Sequence, residues 1–135
     1  MRLQLCCEVF GHRRPHDSVD NSCRTYLGGR SGIHGTASVR SDASLRVNFS
    51  GIPFQNENGP VNYRVTYLAE DYSLTIIGDP DRLSGFVLSR TPPYLMPEQW
   101  ATVKFIVTNR GWWDCAFLTT PVDGGQDDVR PLCTI

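Results

Sequence analysis

The chain predicts an all-β protein, an antiparallel meander with one α-helix near its C-terminus. Three observations support this: short segments alternate apolar and polar residues, turn signals separate them, and one later stretch has helical spacing. At 135 residues, with 40% hydrophobic and 20% charged residues, the chain is long enough for one core. The net charge of -1 gives no reason to expect nucleic acid or an anionic membrane as the main partner.

The strands are predicted from a two-residue period. The segments 33–40 and 45–49 alternate in this way, and the short connection Ser41-Asp42-Ala43 makes them a hairpin. A polar, turn-rich loop follows, and the period returns in 61–70, 72–79 and 83–90. Five successive strands on short connections form a meander, which folds either as a barrel or as one sheet of a sandwich.

A helix is predicted from Pro97 to Arg110, with Gly111 as its stop. Its apolar residues recur at helical spacing, namely Trp100, Val103, Ile106 and Val107. The segment WWDCAFLTTP predicts one more short strand before a loop-like tail. HDSVDNSCR reads as a strand, but MRLQLCCEVFGHRRP has no clean period. We therefore separate residues 1–18, a segment of uncertain structure, from residues 19–135.

The five cysteines favour structural disulfides. Cys23, Cys115 and Cys133 are far apart in the sequence, which suits long-range disulfides better than zinc. Zinc sites use closely spaced pairs, and Cys6 and Cys7 have no spacer between them. An odd number of cysteines leaves one thiol over.

We assign no catalytic residue, no metal site and no cofactor from the sequence. No Gly-x-Ser-x-Gly motif occurs, and we expect His34 to be exposed on the polar face of its strand, whereas catalysis would need a His paired with a Ser or Cys. The acidic residues of the tail lack the spacing of a calcium loop.

The run NYRVTYLAEDYSLTIIGDPDRLSGFVLSRTPPY resembles the second half of a lipocalin barrel, most closely that of bacterial lipocalins. The resemblance lies in a DPDR-like turn followed by an aromatic-hydrophobic-Leu-Ser-Arg-Thr-Pro segment. The resemblance extends from about Val19 to Cys133. The two ends of this range are similar to those of cysteine-bearing actinobacterial members of the family. The resemblance implies an up-and-down β-barrel over 19–135, with the helix packed on the outside and the tail after it.

The resemblance also implies roles for individual residues. It pairs Cys23 with Cys115, and Cys133 with Cys6 or Cys7. In lipocalins the arginine at the position of Arg90 has a structural role, because it lies across the tryptophan of a Gly-x-Trp strand. No Gly-x-Trp precedes Ile33, so we expect either a barrel that lacks this N-terminal strand or first residues of a different sequence joined to a lipocalin body. Arg90 would then stack on another aromatic ring or be solvated.

The function implied is binding or transport of a small hydrophobic molecule, lipid or fatty-acid-like, inside the barrel. Tyr63 and Tyr67 are the best candidates, since a tyrosine offers apolar area and a hydroxyl. Alternation on the strands predicts the lining residues Leu45, Val47, Phe49, Tyr63, Val65, Tyr67, Leu74, Ile76, Phe86 and Leu88.

Two other functions stay open. Exposed edges of an incomplete barrel would make a protein interaction module, including a homodimer. An enzyme on this fold would need a reactive cysteine or a bound haem. We also expect that the protein can associate peripherally with a membrane, as one possible partner. The resemblance places the protein outside the cell or in the cell envelope, although the opening MRLQLCCEVF is too short and interrupted for a signal peptide.

Overall fold

The computed structural model describes residues 4–11, 17–25, 29–90 and 94–135. Within these ranges seven strands follow chain order in one sheet, each hydrogen-bonded to the next. Compactness divides the chain into two units, Met1–Arg64 and Val65–Ile135, and the fifth strand crosses the division. The strands are β1 (Gln4–Gly11), β2 (Asp17–Thr25), β3 (Arg30–Ser41), β4 (Ser44–Phe49), β5 (Tyr63–Leu68), β6 (Leu74–Gly78) and β7 (Gly85–Ser89).

The predicted fold class is confirmed: the sheet is antiparallel, and one α-helix follows it. The five strands predicted after Ile33 all form. One strand was not predicted, because QLCCEVFG has no period of two, yet β1 pairs with β2 from Gln4↔Thr25 to Gly11↔Ser18. The separation at residue 18 stays a prediction.

The first unit buries one face of its strands. Val19, Ala37, Val47 and Tyr63 are almost fully buried. The register explains this, because Ala37 pairs with Val47 and direct partners share a face. The Asn62 side chain accepts from the N–H of Val47 and donates to its carbonyl, both at 2.8 Å, which extends the pairing before β5 begins.

The helix α1 (Pro97–Asn109) begins and ends as the sequence predicts. Pro97 occupies its first turn, and the Gln99 side chain accepts the Met96 N–H at 2.8 Å. Gly111 follows the helix with φ 85°, the left-handed conformation that glycine adopts most readily. None of the helices among the described residues is long and apolar enough to cross a membrane.

The second unit has its own core, formed where α1 packs on β6. The predicted stripe faces this core: Val103 and Val107 are buried, and Trp100 and Ile106 are partly buried against them. The buried residues of the cluster are Leu74, Ile76, Val103, Val107 and Leu132.

The strand predicted in WWDCAFLTTP is wrong. Residues Asp114–Ala116 form a 3₁₀ turn, and only an isolated bridge joins Leu118 to Pro131. The Phe117 N–H is used by this turn, donating to the Asp114 carbonyl at 3.2 Å, so the segment cannot extend as a strand there.

The predicted cysteine pairings with Cys115 and Cys133 are also wrong, because these two residues bond to each other. The Leu118–Pro131 bridge and the Leu132 N–H to Phe117 carbonyl bond (2.8 Å) bring the two segments together. A second 3₁₀ turn at Leu132–Thr134 completes the local structure. The side chains of Cys6, Cys7 and Cys23 lie outside the described residues.

Candidate ligand-binding face

The strands β6 and β7 carry apolar residues on both of their faces. Their register pairs Ile76 with Val87 and Ile77 with Phe86, and direct partners share a face. Ile76 and Val87 belong to the cluster formed with α1. We call the side that carries Leu74, Ile76 and Val87 the helix face.

The opposite side carries Thr75, Ile77, Phe86 and Leu88, since Thr75 pairs with Leu88. We call it the Phe86 face. Leu68 belongs to it as well, because Leu68 follows Tyr67 on β5, and Tyr67 packs against the helix cluster. Ile77 on the middle strand is 3% exposed, whereas Phe86 and Leu68 on the flanking strands are 39% and 48% exposed. The accessible apolar side chains of this face are therefore those of Phe86 and Leu68, while Ile77 is covered.

The polar group that β6 carries on this face is satisfied internally. The Thr75 hydroxyl donates to the Tyr67 carbonyl at 2.9 Å. An apolar molecule on the Phe86 face would therefore leave no unpaired hydroxyl at this position.

The expectation that all of the predicted lining residues share one face is wrong for the second unit. Tyr67, Leu74 and Ile76 are on the helix face, while Phe86 and Leu88 are on the other. Val65 alternates with Thr66 and lies on the side of Tyr67. The physical reason is that β6 is apolar on both faces, so alternation does not choose between Ile76 and Ile77. A contact between any of these residues and a ligand stays a prediction.

In the first unit the predicted residues do share a face. Val47 and Phe49 pair with Ala37 and Gly35, and Leu45 pairs with Tyr63. Val47 and Tyr63 are buried, and Phe49 and Leu45 are half-buried. Gly35 makes this close packing possible, because a Cβ there would lie 2.4 Å from the Asn48 carbonyl oxygen and 3.0 Å from the Phe49 ring.

The turn between β6 and β7 fixes the register of the Phe86 face. Asp79 accepts hydrogen bonds from the Leu83 N–H at 2.9 Å and from the N–H and hydroxyl of Ser84 at 3.0 and 2.9 Å. Partial burial raises the pKa of the Asp79 carboxyl, but the hydrogen bonds from Leu83, Ser84 and Arg82 together outweigh it and lower the pKa. The DPDR segment therefore has a structural role in aligning Gly78 with Gly85.

The turn between β5 and β6 is built in a similar way. Asp71 accepts from both the hydroxyl and the N–H of Ser73, at 2.7 and 3.0 Å. These bonds lower the pKa of the Asp71 carboxyl. The Ser73 carbonyl in turn accepts the Arg90 N–H at 3.0 Å. Arg90 itself is exposed, and its predicted structural role remains a prediction.

Two glycines make room for aromatic residues on the helix face. A Cβ on Gly78 would lie 2.4 Å from the Trp112 ring, and one on Gly85 would lie 3.1 Å from the Phe117 ring. Trp112 and Phe117 meet edge to face, with their centroids 6.4 Å apart. Aromatic rings thus fill the helix face at this end of β6 and β7.

Among the described residues, the side chains close enough together to hold a metal are those of Asp114, Cys115 and Cys133. The two sulfurs are bonded to each other, so neither is a thiolate that could bind zinc. This cluster is therefore a disulfide beside a carboxylate.

The family model for a lipocalin-like domain matches residues 13–122. No curated protein matches the chain. The matched range includes the paired strands β6 and β7, the DPDR turn and all of α1, which are the elements that form the two faces described above. The chain therefore belongs to the family of lipocalin-like domains.

Proposed function

We propose that this protein binds a small lipid or fatty-acid-like molecule on the Phe86 face and carries out no chemical step. Lipocalin-like domains generally bind small hydrophobic molecules, which supports the class of ligand. The single observation that carries the choice of surface is the pairing of Ile77 with Phe86 on the side away from α1.

The helix face is a poor candidate because it is already filled. Leu74 and Ile76 are 3% and 0% exposed, and they pack with Val103 and Val107 of α1. Protein interiors are close-packed, so a ligand there would have to displace the helix.

The driving force would be the removal of apolar surface from water. Burial stabilises by roughly 25 cal/mol per Å² of apolar area, less the cost of immobilising the ligand. Phe86 and Leu68 offer the accessible apolar area of this face, whereas Ile77 is 3% exposed and is covered by its neighbours. An acyl chain, which is long, flexible and apolar, fits such a strip better than a polar metabolite does.

A displacement titration tests this proposal. A long-chain fatty acid should displace 1-anilinonaphthalene-8-sulfonate from the protein in a saturable way. Phe86→Ala should weaken the fatty acid's Kd about tenfold, the cost of losing most of one phenyl contact. The matched control is Phe105→Ala on α1, which removes an equally large and more exposed ring (69%) from another surface.

The outcomes are distinct. An unchanged Kd in Phe86→Ala, or an equal loss in both variants, would contradict the assignment to the Phe86 face. Failure of the wild-type protein to bind any fatty acid or probe would contradict the function itself.

We also propose that the protein works in an oxidising compartment, outside the cell or in its envelope. The Cys115–Cys133 disulfide supports this, since such bonds persist mainly where thiols are not kept reduced. Alkylation of free thiols in freshly lysed cells, followed by mass spectrometry, tests it. Alkylated Cys115 and Cys133 would contradict the proposal.

A further inference from the structure

The connection between β4 and β5, residues 50–62, is tied firmly to the sheet. Arg46 donates to the Asn56 carbonyl at 3.0 Å and to the Pro60 carbonyl at 3.1 Å. Its guanidinium lies against Gly59, where a Cβ would come within 3.0 Å of the central carbon. The Gln55 side chain accepts the Phe49 N–H at 2.7 Å. Hydrogen bonds therefore fix the loop on both sides of its tip.

The tip itself, Ile52-Pro53-Phe54, points into solvent. Phe54 is 104% exposed, as much as in an isolated peptide, and Ile52 is 44% exposed. Phe54 also has φ 64°, a left-handed conformation that is unfavourable for a bulky side chain. A loop held this firmly keeps its only phenyl ring outside any core.

The chemistry of the tip is apolar and uncharged. No charged residue occurs from Ser50 to Asn56, and the nearest charged position in the loop is Glu57. The nearby cations, Arg46 and Arg40, are hydrogen-bonded to carbonyls of the loop, namely those of Asn56, Pro60 and Glu57, and neither belongs to the tip. The partner should therefore be one that receives apolar groups without requiring charge or a matching cavity.

We propose that the Ile52–Phe54 tip inserts into the interfacial region of a lipid bilayer. A bilayer accepts a small apolar protrusion without a complementary surface, whereas a stable protein interface needs about 800 Å² on each partner. The role of this contact, taking up or releasing a lipid-like ligand at a membrane, rests on the proposed function. The contact itself does not.

Vesicle sedimentation with pure phosphatidylcholine tests this inference. The wild-type protein should partition to the vesicles, and Phe54→Ala should lower the partition coefficient about tenfold. Because the tip is neutral, raising the salt concentration should leave partitioning nearly unchanged. Phe105→Ala, which removes an exposed ring from α1, is the matched control and should partition like the wild type.

A second variant reports on insertion directly. Phe54→Trp should be quenched by brominated phosphatidylcholine, while the same brominated vesicles should quench a Phe105→Trp variant much less. Absence of wild-type binding, an equal loss in Phe105→Ala, or binding that needs phosphatidylglycerol and disappears in salt would each overturn the inference. So would a self-associated wild type that Phe54→Ala converts to a monomer, since the tip would then be a protein contact.

The vesicle experiment tests the membrane contact and the ligand experiment tests the proposed function, so one proposal can be wrong while the other holds. Phe54→Ala should keep the fatty-acid Kd of the wild type in solution. If the wild type binds vesicles through Phe54 but no fatty acid, the proposed function is wrong and the membrane contact stands.

Discussion

Ile77 and Phe86 are direct partners across β6 and β7, and both point away from Val103 and Val107 of the helix. This relationship divides the second unit into a filled face and an accessible apolar face. It also explains why β6 is apolar at consecutive positions, since Ile76 packs in the core with α1 and Ile77 lies on the Phe86 face.

The first prediction concerns the space that Gly78 leaves for Trp112. Gly78→Ala should lower the free energy of unfolding by about 1–3 kcal/mol, because its Cβ would lie 2.4 Å from the indole ring. Gly32→Ala is the control, since its Cβ would meet only the Asn21 carbonyl oxygen at 3.8 Å, an ordinary contact. Urea denaturation of both variants measures the difference, and equal losses would show that Trp112 does not pack there.

The second prediction concerns the helix face. Val107→Ala should destabilise the protein by about 2 kcal/mol, because Val107 is fully buried against Leu74 and Ile76. Thr102→Ala, at an exposed helix position, should have almost no effect. Thermal unfolding compares the two, and the fatty-acid Kd of both variants should stay that of the wild type. A large loss of affinity in Val107→Ala would mean that the ligand binds on the helix face, which would contradict the proposed site.

The third prediction is a pH dependence of stability. The folded-state pKa of Asp79 is lowered, so its ionised form stabilises the fold above the unfolded-state pKa of about 4. This contribution is lost as the pH falls through the lower folded-state pKa. Asp79→Asn should therefore cost about 1 kcal/mol at neutral pH and nothing in strong acid.

Urea denaturation as a function of pH measures this difference, with Asp81→Asn in the same turn as the control. A deficit in Asp79→Asn that stayed constant down to strong acid would show that the carboxylate charge does not stabilise the turn.

The fourth prediction concerns the disulfide that joins residues 18 positions apart. Cys133→Ser should destabilise the protein by about 3 kcal/mol, from the loop entropy restored to the unfolded chain. Other contacts also hold the segment around Cys133 in place, so we expect the loss of the disulfide to perturb the folded structure only locally. Lys104 donates to the Cys133 carbonyl at 3.2 Å, and the neighbouring Leu132 is buried against α1.

Calorimetry measures the loss. Non-reducing peptide mapping checks the pairing, which should appear as one cross-linked species containing both cysteines. A species joining Cys115 to Cys23 would contradict the structure.

Local sequence signals predicted much of this fold. The two-residue period located every strand from β3 to β7, and Pro97 and Gly111 marked the ends of α1. β1 was not predicted because its residues do not alternate between apolar and polar, and it is recognised as a strand only from its pairing with β2. The Cys115–Cys133 bond also depends on a non-local event, the approach of Leu118 to Pro131, which spacing does not encode.

The candidate site shows the same limit. Alternation identified Phe86 and Leu88 correctly as one face of β7, but it could not assign β6, whose two faces are both apolar. The register set by Asp79 decides that Ile77, not Ile76, lies beside Phe86. Counting back from the six-residue connection 79–84 was the signal that could have found it.

The most direct test of the central claim is a set of intermolecular NOEs between a bound fatty acid and the methyl groups of Ile, Leu and Val. This account predicts NOEs from the acyl chain to Leu68 and Leu88, and none to Ile76, Val103 or Val107. NOEs to Ile76 and Val107 without any to Leu68 or Leu88 would contradict it, because the ligand would then occupy the face that the helix fills.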